Sequence, residues 1–204
     1  MNIKRVNCYD DSRFSKHVLA QHGCFLIDDE PYEIEIISHS SAIIRGQNRQ
    51  YYEELIEEFR FYAPHIYQYY DDHHLIKKYK KPQVIDITLK DIQPSQFYIN
   101  QNKIQAIQSF IHHPEDIIIQ VIEYNGRYIS LDGHTRLYYA ALLGFEKVKA
   151  VYSESESYIY DFVKEAQKRK IYTPSDMNLL NQNEYEEKWY AFCDEYFQNK
   201  EVSK

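Results

Sequence analysis

The apolar positions of this chain change period several times, and the clearest change lies between Gly126 and Tyr152. Polar and apolar residues alternate from Arg127 to Leu131, the spacing of a half-buried strand. Asp132-Gly133 breaks the run. Leu137, Ala140, Ala141 and the Leu142/Leu143 pair then recur at helical spacing, and Gly144 is a C-terminal stop. Val148, Ala150 and Tyr152 return to a period of two. The stretch therefore predicts strand, tight turn, helix, turn, strand. Just upstream, Ile117 to Tyr124 reads as a strand that pairs with Arg127 to Leu131 across Asn125-Gly126, a strong short-range hairpin signal. Val84 to Leu89 is an earlier strand. Asn102 to about His112 is a helix with Ile104, Ile107 and Phe110/Ile111 inward.

The first third of the chain predicts a helix over Ser12 to Gln21 and strands over Cys24 to Ile27, Tyr32 to Ile37 and Ala42 to Ile44. Together the strands make a small antiparallel sheet of two or three members. Asn48 to about Tyr70 predicts a long amphipathic helix with the stripe Tyr52, Leu55, Ile56, Phe59 and Tyr62, kinked or restarted at Pro64. Glu53, Glu54, Glu57 and Glu58 form its solvated face, without a His at ligand spacing. Lys77 to Gln83 is a basic, Pro-containing connector. Beyond Tyr152 come a polar linker, a helix over Tyr158 to Lys170, a turn at Thr173 to Asp176 opening a short helical piece, a final helix over Asn183 to Asn199, and a frayed tail from Glu201 to Lys204. The fold class is α+β. The expected regions are 1–81, an N-terminal α+β part; 84–152, an α/β core; and 153–204, a helical extension.

Composition narrows the function classes. With 44% hydrophobic residues among 204, a packed core is expected. The formal net charge of −7 weighs against nonspecific nucleic-acid binding, which needs clustered Lys and Arg. Three widely spaced Cys, with no C-x-x-C pair, suit a reducing cytoplasm. No apolar stretch reaches membrane-spanning length, and the first residues do not read as a signal peptide. Asp71-Asp72-His73-His74 offers metal-ligating residue types, but adjacent side chains diverge and no second ligand cluster accompanies them.

Three of the five glycines punctuate the Gly126 to Tyr152 stretch. A Gly between a strand and a helix lets the backbone take positive φ and approach a ligand closely. The amides of His134, Thr135 and Arg136 then lie among the unpaired donors of a helix N-terminus, a seat for an anion. Arg136 adds a bidentate cation. Lys103, at the start of the preceding helix, is a second cation for the same polyphosphate if that helix start faces the turn.

L-D-G-H-T-R opening a helix, followed by L-L-G-F and a strand, resembles the ParB/sulfiredoxin superfamily. The segment I-Q-P-S-Q-F-Y-I-N-Q-N-K-I-Q-A-I is similar to that superfamily's first-helix region, and the resemblance covers about Val84 to Tyr152. It implies a ParB/sulfiredoxin-like core and one of three activities. Sulfiredoxins repair an oxidised cysteine with a Cys inside a G-C-H-R turn; His134 stands at that place here, so the nucleophile is missing. ParB proteins bind CTP at a G-E-R-R-type turn and load onto DNA; here the following segment is acidic, with Glu184, Glu186, Glu187, Asp194 and Glu195. Free-serine kinases carry D-G-H-H-R, one residue from the turn of this chain. That branch implies a cytoplasmic phosphotransferase using ATP or ADP with Mg²⁺ on a small hydroxyl acceptor. Asp132 and His134 are then its catalytic residues, Asp132 holding the metal, and Lys103, Gly133, His134, Thr135 and Arg136 hold the nucleotide phosphates. One departure stands against turnover. The family's basic carboxylate follows the proline that ends its first strand, and here that place is Ser95-Gln96. Asp91, or a carboxylate of the N-terminal region, is the substitute to look for. The alternative is a nucleotide-sensing or protein-interaction module without turnover.

Overall fold

The structure, a computed structural model, describes residues 1–202. The chain divides into two compact units, Met1–Val84 and Ile85–Lys204. Both mix helices with sheets, so the fold class is α+β. The tail expected over Glu201 to Lys204 lies in part outside the described residues, since the last helix runs to Val202. No helix among the described residues is long and apolar enough to cross a membrane.

The first unit is built on six strands, in chain order β1 (Ile3–Arg5), β2 (Cys24–Ile27), β3 (Glu30–Ile36), β4 (Ser41–Gly46), β5 (Gln68–Asp71) and β6 (His74–Lys78), which neighbour one another in that same order. Helix α1 (Lys16–Ala20) and helix α2 (Tyr52–Tyr62) complete it. This corrects the expected sheet of two or three antiparallel strands and the long helix. The helix stops at Tyr62 because Pro64 cannot donate into another turn. The tyrosines after it, which continue a helical spacing, instead form β5. Since α2 crosses from β4 to β5, those two strands run parallel, with Ser41 opposite Gln68. Asp72, at φ 52°, turns the chain back into β6, which holds Lys77 and Lys78 in a strand and not in a connector. The core is Phe25, Ile34, Ile44 and Tyr69 from the sheet and Leu55, Ile56 and Phe59 from α2.

The second unit contains β7 (Val84–Thr88), β8 (Ile92–Pro94), β9 (Tyr98–Asn100), α3 (Gln101–Ile107), β10 (Ile118–Tyr124), β11 (Arg127–Ser130), α4 (His134–Leu142), β12 (Lys147–Tyr152), α5 (Tyr158–Lys168), β13 (Asn178–Leu180), α6 (Gln182–Tyr185) and α7 (Ala191–Val202). Five strands form one mixed sheet in the order β7-β12-β10-β11-β8. Asn125 and Gly126, both at positive φ, close the antiparallel β10-β11 hairpin. β12 runs parallel to β10, and β8 runs parallel to β11 with Pro94 opposite Ser130. Ile119, Val121, Val148 and Ala150 face Leu137 and Ala140 of α4, while Ile129 packs with Ile159 and Val163 of α5. Helix α3 ends earlier than its apolar pattern suggests. His113 and Asp116 form a reciprocal cap around Pro114, so the last apolar residues, Phe110 and Ile111, lie beyond the helix.

The C-terminal segment is not a separate helical region. β13 pairs in parallel with β9, Asn178 opposite Tyr98, so the short piece expected after Thr173 is partly a strand. The expected final helix is α6, a π-helical turn over Glu186–Tyr190, and α7. Its buried Tyr185 and Trp189 enter the same core as Phe97, and Trp189 meets Phe97 edge-on with ring centroids 4.9 Å apart. Trp189→Ala is therefore expected to destabilise the Ile85–Lys204 unit by about 3–5 kcal/mol. Urea unfolding followed by circular dichroism checks this, and an unchanged midpoint would mean that the segment is not part of the core.

Candidate functional site

The site is built on the turn between β11 and α4. Gly133 sits at the N-cap of α4 with φ 77° and ψ 19°, the left-handed region that glycine enters without strain. Space also demands glycine. A Cβ here would lie 2.7 Å from Ile119 Cγ2 and 3.0 Å from Arg136 Nη2. The turn therefore lies flat on the sheet, with the Arg136 guanidinium folded back over it. No side chain caps α4, and its backbone ladder opens with the Leu137 amide donating to the Gly133 carbonyl at 2.9 Å. The amides of His134, Thr135 and Arg136 precede that bond, as the unpaired donors of a helix start do.

The charged groups are arranged closely. Arg136 donates from Nη1 to the Ile118 carbonyl at 2.8 Å and from Nη2 to Asp132 Oδ2 at 3.2 Å. Its side chain is 24% exposed and that of Asp132 is 52% exposed, so the pair borders solvent. Lys103, in the first turn of α3, has its ammonium 5.6 Å from the centre of the Tyr185 ring. Its charge reaches His134, where it and Arg136 both disfavour protonation. Lys103, Asp132 and Arg136 thus act on one small region. Thr135 is half-buried beside them.

His134 is placed differently from a phosphate-binding side chain. It is buried, and its Nε2 lies 3.0 Å from Ser95 Oγ. Ser95 Oγ in turn donates to the Ser130 carbonyl at 2.7 Å. A hydroxyl has one proton, so the imidazole must be the donor to Ser95, which fixes the Nε2–H tautomer. Burial pushes the ring's pKa down to about 4. Asp132 and a hydrogen bond from the ring to the Ser130 backbone carbonyl act the other way, with less effect. The ring is therefore neutral near pH 7, and His134 offers an anion its amide and not a charge. Beneath α4, Ser130 is fully buried, and among the described residues its Oγ has no hydrogen-bond partner. Ser130 is opposite Val121 and so shares a sheet face with Ile119, the residue that touches Gly133.

Asp91 does not replace the absent carboxylate. Its side chain accepts from Thr88 Oγ1 before β8 begins. Four residues of largely extended chain, on the order of 10 Å, separate it from Ser95. Gln96 donates to the Tyr98 carbonyl and to Tyr185 Oη, and does not act as an acid or base. Among the described residues no group of three or more His, Cys, Asp and Glu is placed to hold a metal ion. Asp132 supplies one carboxylate oxygen donor set; a Mg²⁺ ion there would take its other ligands from phosphates and water, a usual arrangement for that ion. Two contacts escape sequence reasoning. The Ile118 carbonyl carries no side-chain signal, and Ser95 is legible only as a missing carboxylate and not as the partner of His134.

No protein-family model and no curated protein matches this sequence. Among solved structures it is similar to the crystal structure of protein Atu1540 from Agrobacterium tumefaciens, at 16% identity over 46% of this chain and 51% of that one, with a TM-score of 0.32. The chain spans about half the length of that protein. A likeness of that degree carries no argument about fold or activity.

His134 generates a pH prediction. Its folded pKa, about 4, lies below the unfolded value of about 6.5. The unfolded chain then binds more protons between those values, so the contribution of His134 is held above about pH 6.5 and lost as pH falls towards about 4. The loss is on the order of 3 kcal/mol. Imidazole NMR should show the ring neutral at about pH 6, half a unit below the unfolded value. A protonated ring at that pH would contradict the buried geometry.

Proposed function

We propose that the Ile85–Lys204 unit is a ParB/sulfiredoxin-like nucleotide-binding module that seats phosphates on the start of α4. The observation that carries this reading is that start: an uncapped helix opened by Gly133 at positive φ, with Arg136 over it and, at the end of β11, the buried Ser130 Oγ, which has no hydrogen-bond partner among the described residues. The amides of His134, Thr135 and Arg136 would bind phosphate oxygens, helped by the helix dipole. Arg136 would turn from Asp132 towards the ligand while keeping its contact to the Ile118 carbonyl. Lys103 adds the second cation. ATP or ADP is the expected ligand, with Mg²⁺ between its phosphates and Asp132.

A second reading adds turnover, and Asp132 favours it. It is the carboxylate of the turn, half exposed and next to the phosphate seat. A phosphoryl group passing to a small hydroxyl acceptor, serine being the first candidate, needs mainly positioning and neutralised charge. Among the described residues no carboxylate hydrogen-bonds to Ser95, so the non-catalytic binder is the reading that the geometry supports more directly.

Two measurements test these proposals. Titration calorimetry with ADP and ATP, with Mg²⁺, should show binding that Arg136→Ala weakens about tenfold, the cost of one charge-assisted contact. Equal affinity in a folded variant would remove Arg136 from the site. Labelled ATP or ADP offered with a panel of hydroxyl metabolites should yield a phosphorylated product that Asp132→Asn abolishes, if the second reading holds. Binding without product from any acceptor, at enzyme concentrations near those of substrate, would assign the chain to the binding class.

A further inference from the structure

Ser95 joins three elements of the second unit through one buried oxygen. It follows β8, accepts from the ring of the first residue of α4, and donates to the carbonyl of the last residue of β11. Ser95 is 3% exposed, Ser130 0% and His134 7%, so water does not compete for these contacts. The pairing of Pro94 with Ser130 delivers Ser95 to this place, one residue past the end of the ladder. A hydroxyl there has a specific consequence, because His134 is the N1 residue of α4 and its ring direction is coupled to its backbone.

We propose that Ser95 is a positioning residue of the anion seat: its hydroxyl locks the His134 ring to the end of β11 and thereby aims the first amides of α4 at the ligand. This rests on the nucleotide-binding reading given above and assigns Ser95 a task of its own within it. Ser95 does not touch the ligand; it acts through His134. The lock uses both faces of the hydroxyl. Without the oxygen, the His134 ring keeps only the Ser130 carbonyl, and that carbonyl loses the Ser95 donor in a place that water does not reach.

The test uses the full chain, inorganic pyrophosphate as the probe, and the variants Ser95→Ala and Ser95→Thr. Expected in calorimetry is a loss of about fivefold in pyrophosphate affinity for Ser95→Ala, the scale of one hydrogen bond, with recovery in Ser95→Thr, which keeps the hydroxyl. Imidazole nitrogen NMR should find the Nε2–H tautomer in the unmodified chain and in Ser95→Thr, and its loss in Ser95→Ala. A merely structural residue would change the melting temperature and leave both the tautomer and the affinity of the folded fraction unaltered. If Ser95→Ala does not fold, the unmodified chain still decides: pyrophosphate should shift the His134 Nε2–H resonance, and a resonance that stays fixed at saturation overturns the proposal. Pyrophosphate binding that Ser95→Ala leaves within twofold removes Ser95 alone. No pyrophosphate binding by the unmodified chain removes the anion seat itself.

Discussion

The second unit depends on one close approach, that of the Gly133 backbone to the Ile119 side chain. A β-carbon at residue 133 would stand 2.7 Å from Ile119 Cγ2, closer than side chains pack. That distance sets how near α4 comes to the sheet, and so how Leu137 and Ala140 meet the core. It also sets the direction of the helix axis, because the positive φ of Gly133 reverses the chain within one residue. The same constraint that packs the helix places the first three amides of α4 next to the end of β11. Stability and the candidate site are therefore one geometric requirement and not two.

Around that turn the structure separates charge from polarity. The charged groups Lys103, Asp132 and Arg136 border solvent, while Ser95, Ser130 and His134 are buried and neutral. A protonated His134 would strengthen an anion site electrostatically, yet burial pushes its pKa down to about 4. The ring serves as a strut between α4 and β8. Buried hydrogen bonds contribute about 1 kcal/mol each, and leaving one partner unsatisfied costs more. The cluster therefore specifies one arrangement of the turn more than it adds stability.

Where the sequence was legible, a backbone rule was at work. Asn125-Gly126 announced the hairpin and Asp132-Gly133 the start of α4, because few other residues tolerate the dihedral angles required. The residues of the candidate anion seat come together for the same reason, being consecutive along one helix start. The first unit was less so. Tyr67, Tyr69 and Tyr70 follow a helix at a spacing compatible with both periods, and only the break at Pro64 and the turn at Asp72 reveal β5 and β6. β13 was hidden because three residues are too few to establish a period. The orientation of His134 was hidden for a different reason. Its partner is 39 positions away, and a serine next to a proline looks like a turn.

The charge at the turn bears on what can occupy it. Two cations, Lys103 and Arg136, face one carboxylate, Asp132, while His134 stays neutral, in a chain with a formal net charge of −7. A nucleotide polyphosphate carries several negative charges, more than this arrangement neutralises. The protein's overall field opposes such a ligand as well, and salt screens that field only beyond about 10 Å. On the proposed reading, either the ligand would bring a divalent cation, with Asp132 as one of its oxygen donors, or it would be a smaller anion than a nucleotide. In the first case Asp132 would hold the cation and Arg136 would be free to face the phosphates. In the second the Asp132–Arg136 pair persists, and the amides of α4 are the main attraction. The carboxylate that looks like an obstacle to anion binding is thus the group that distinguishes the two ligands.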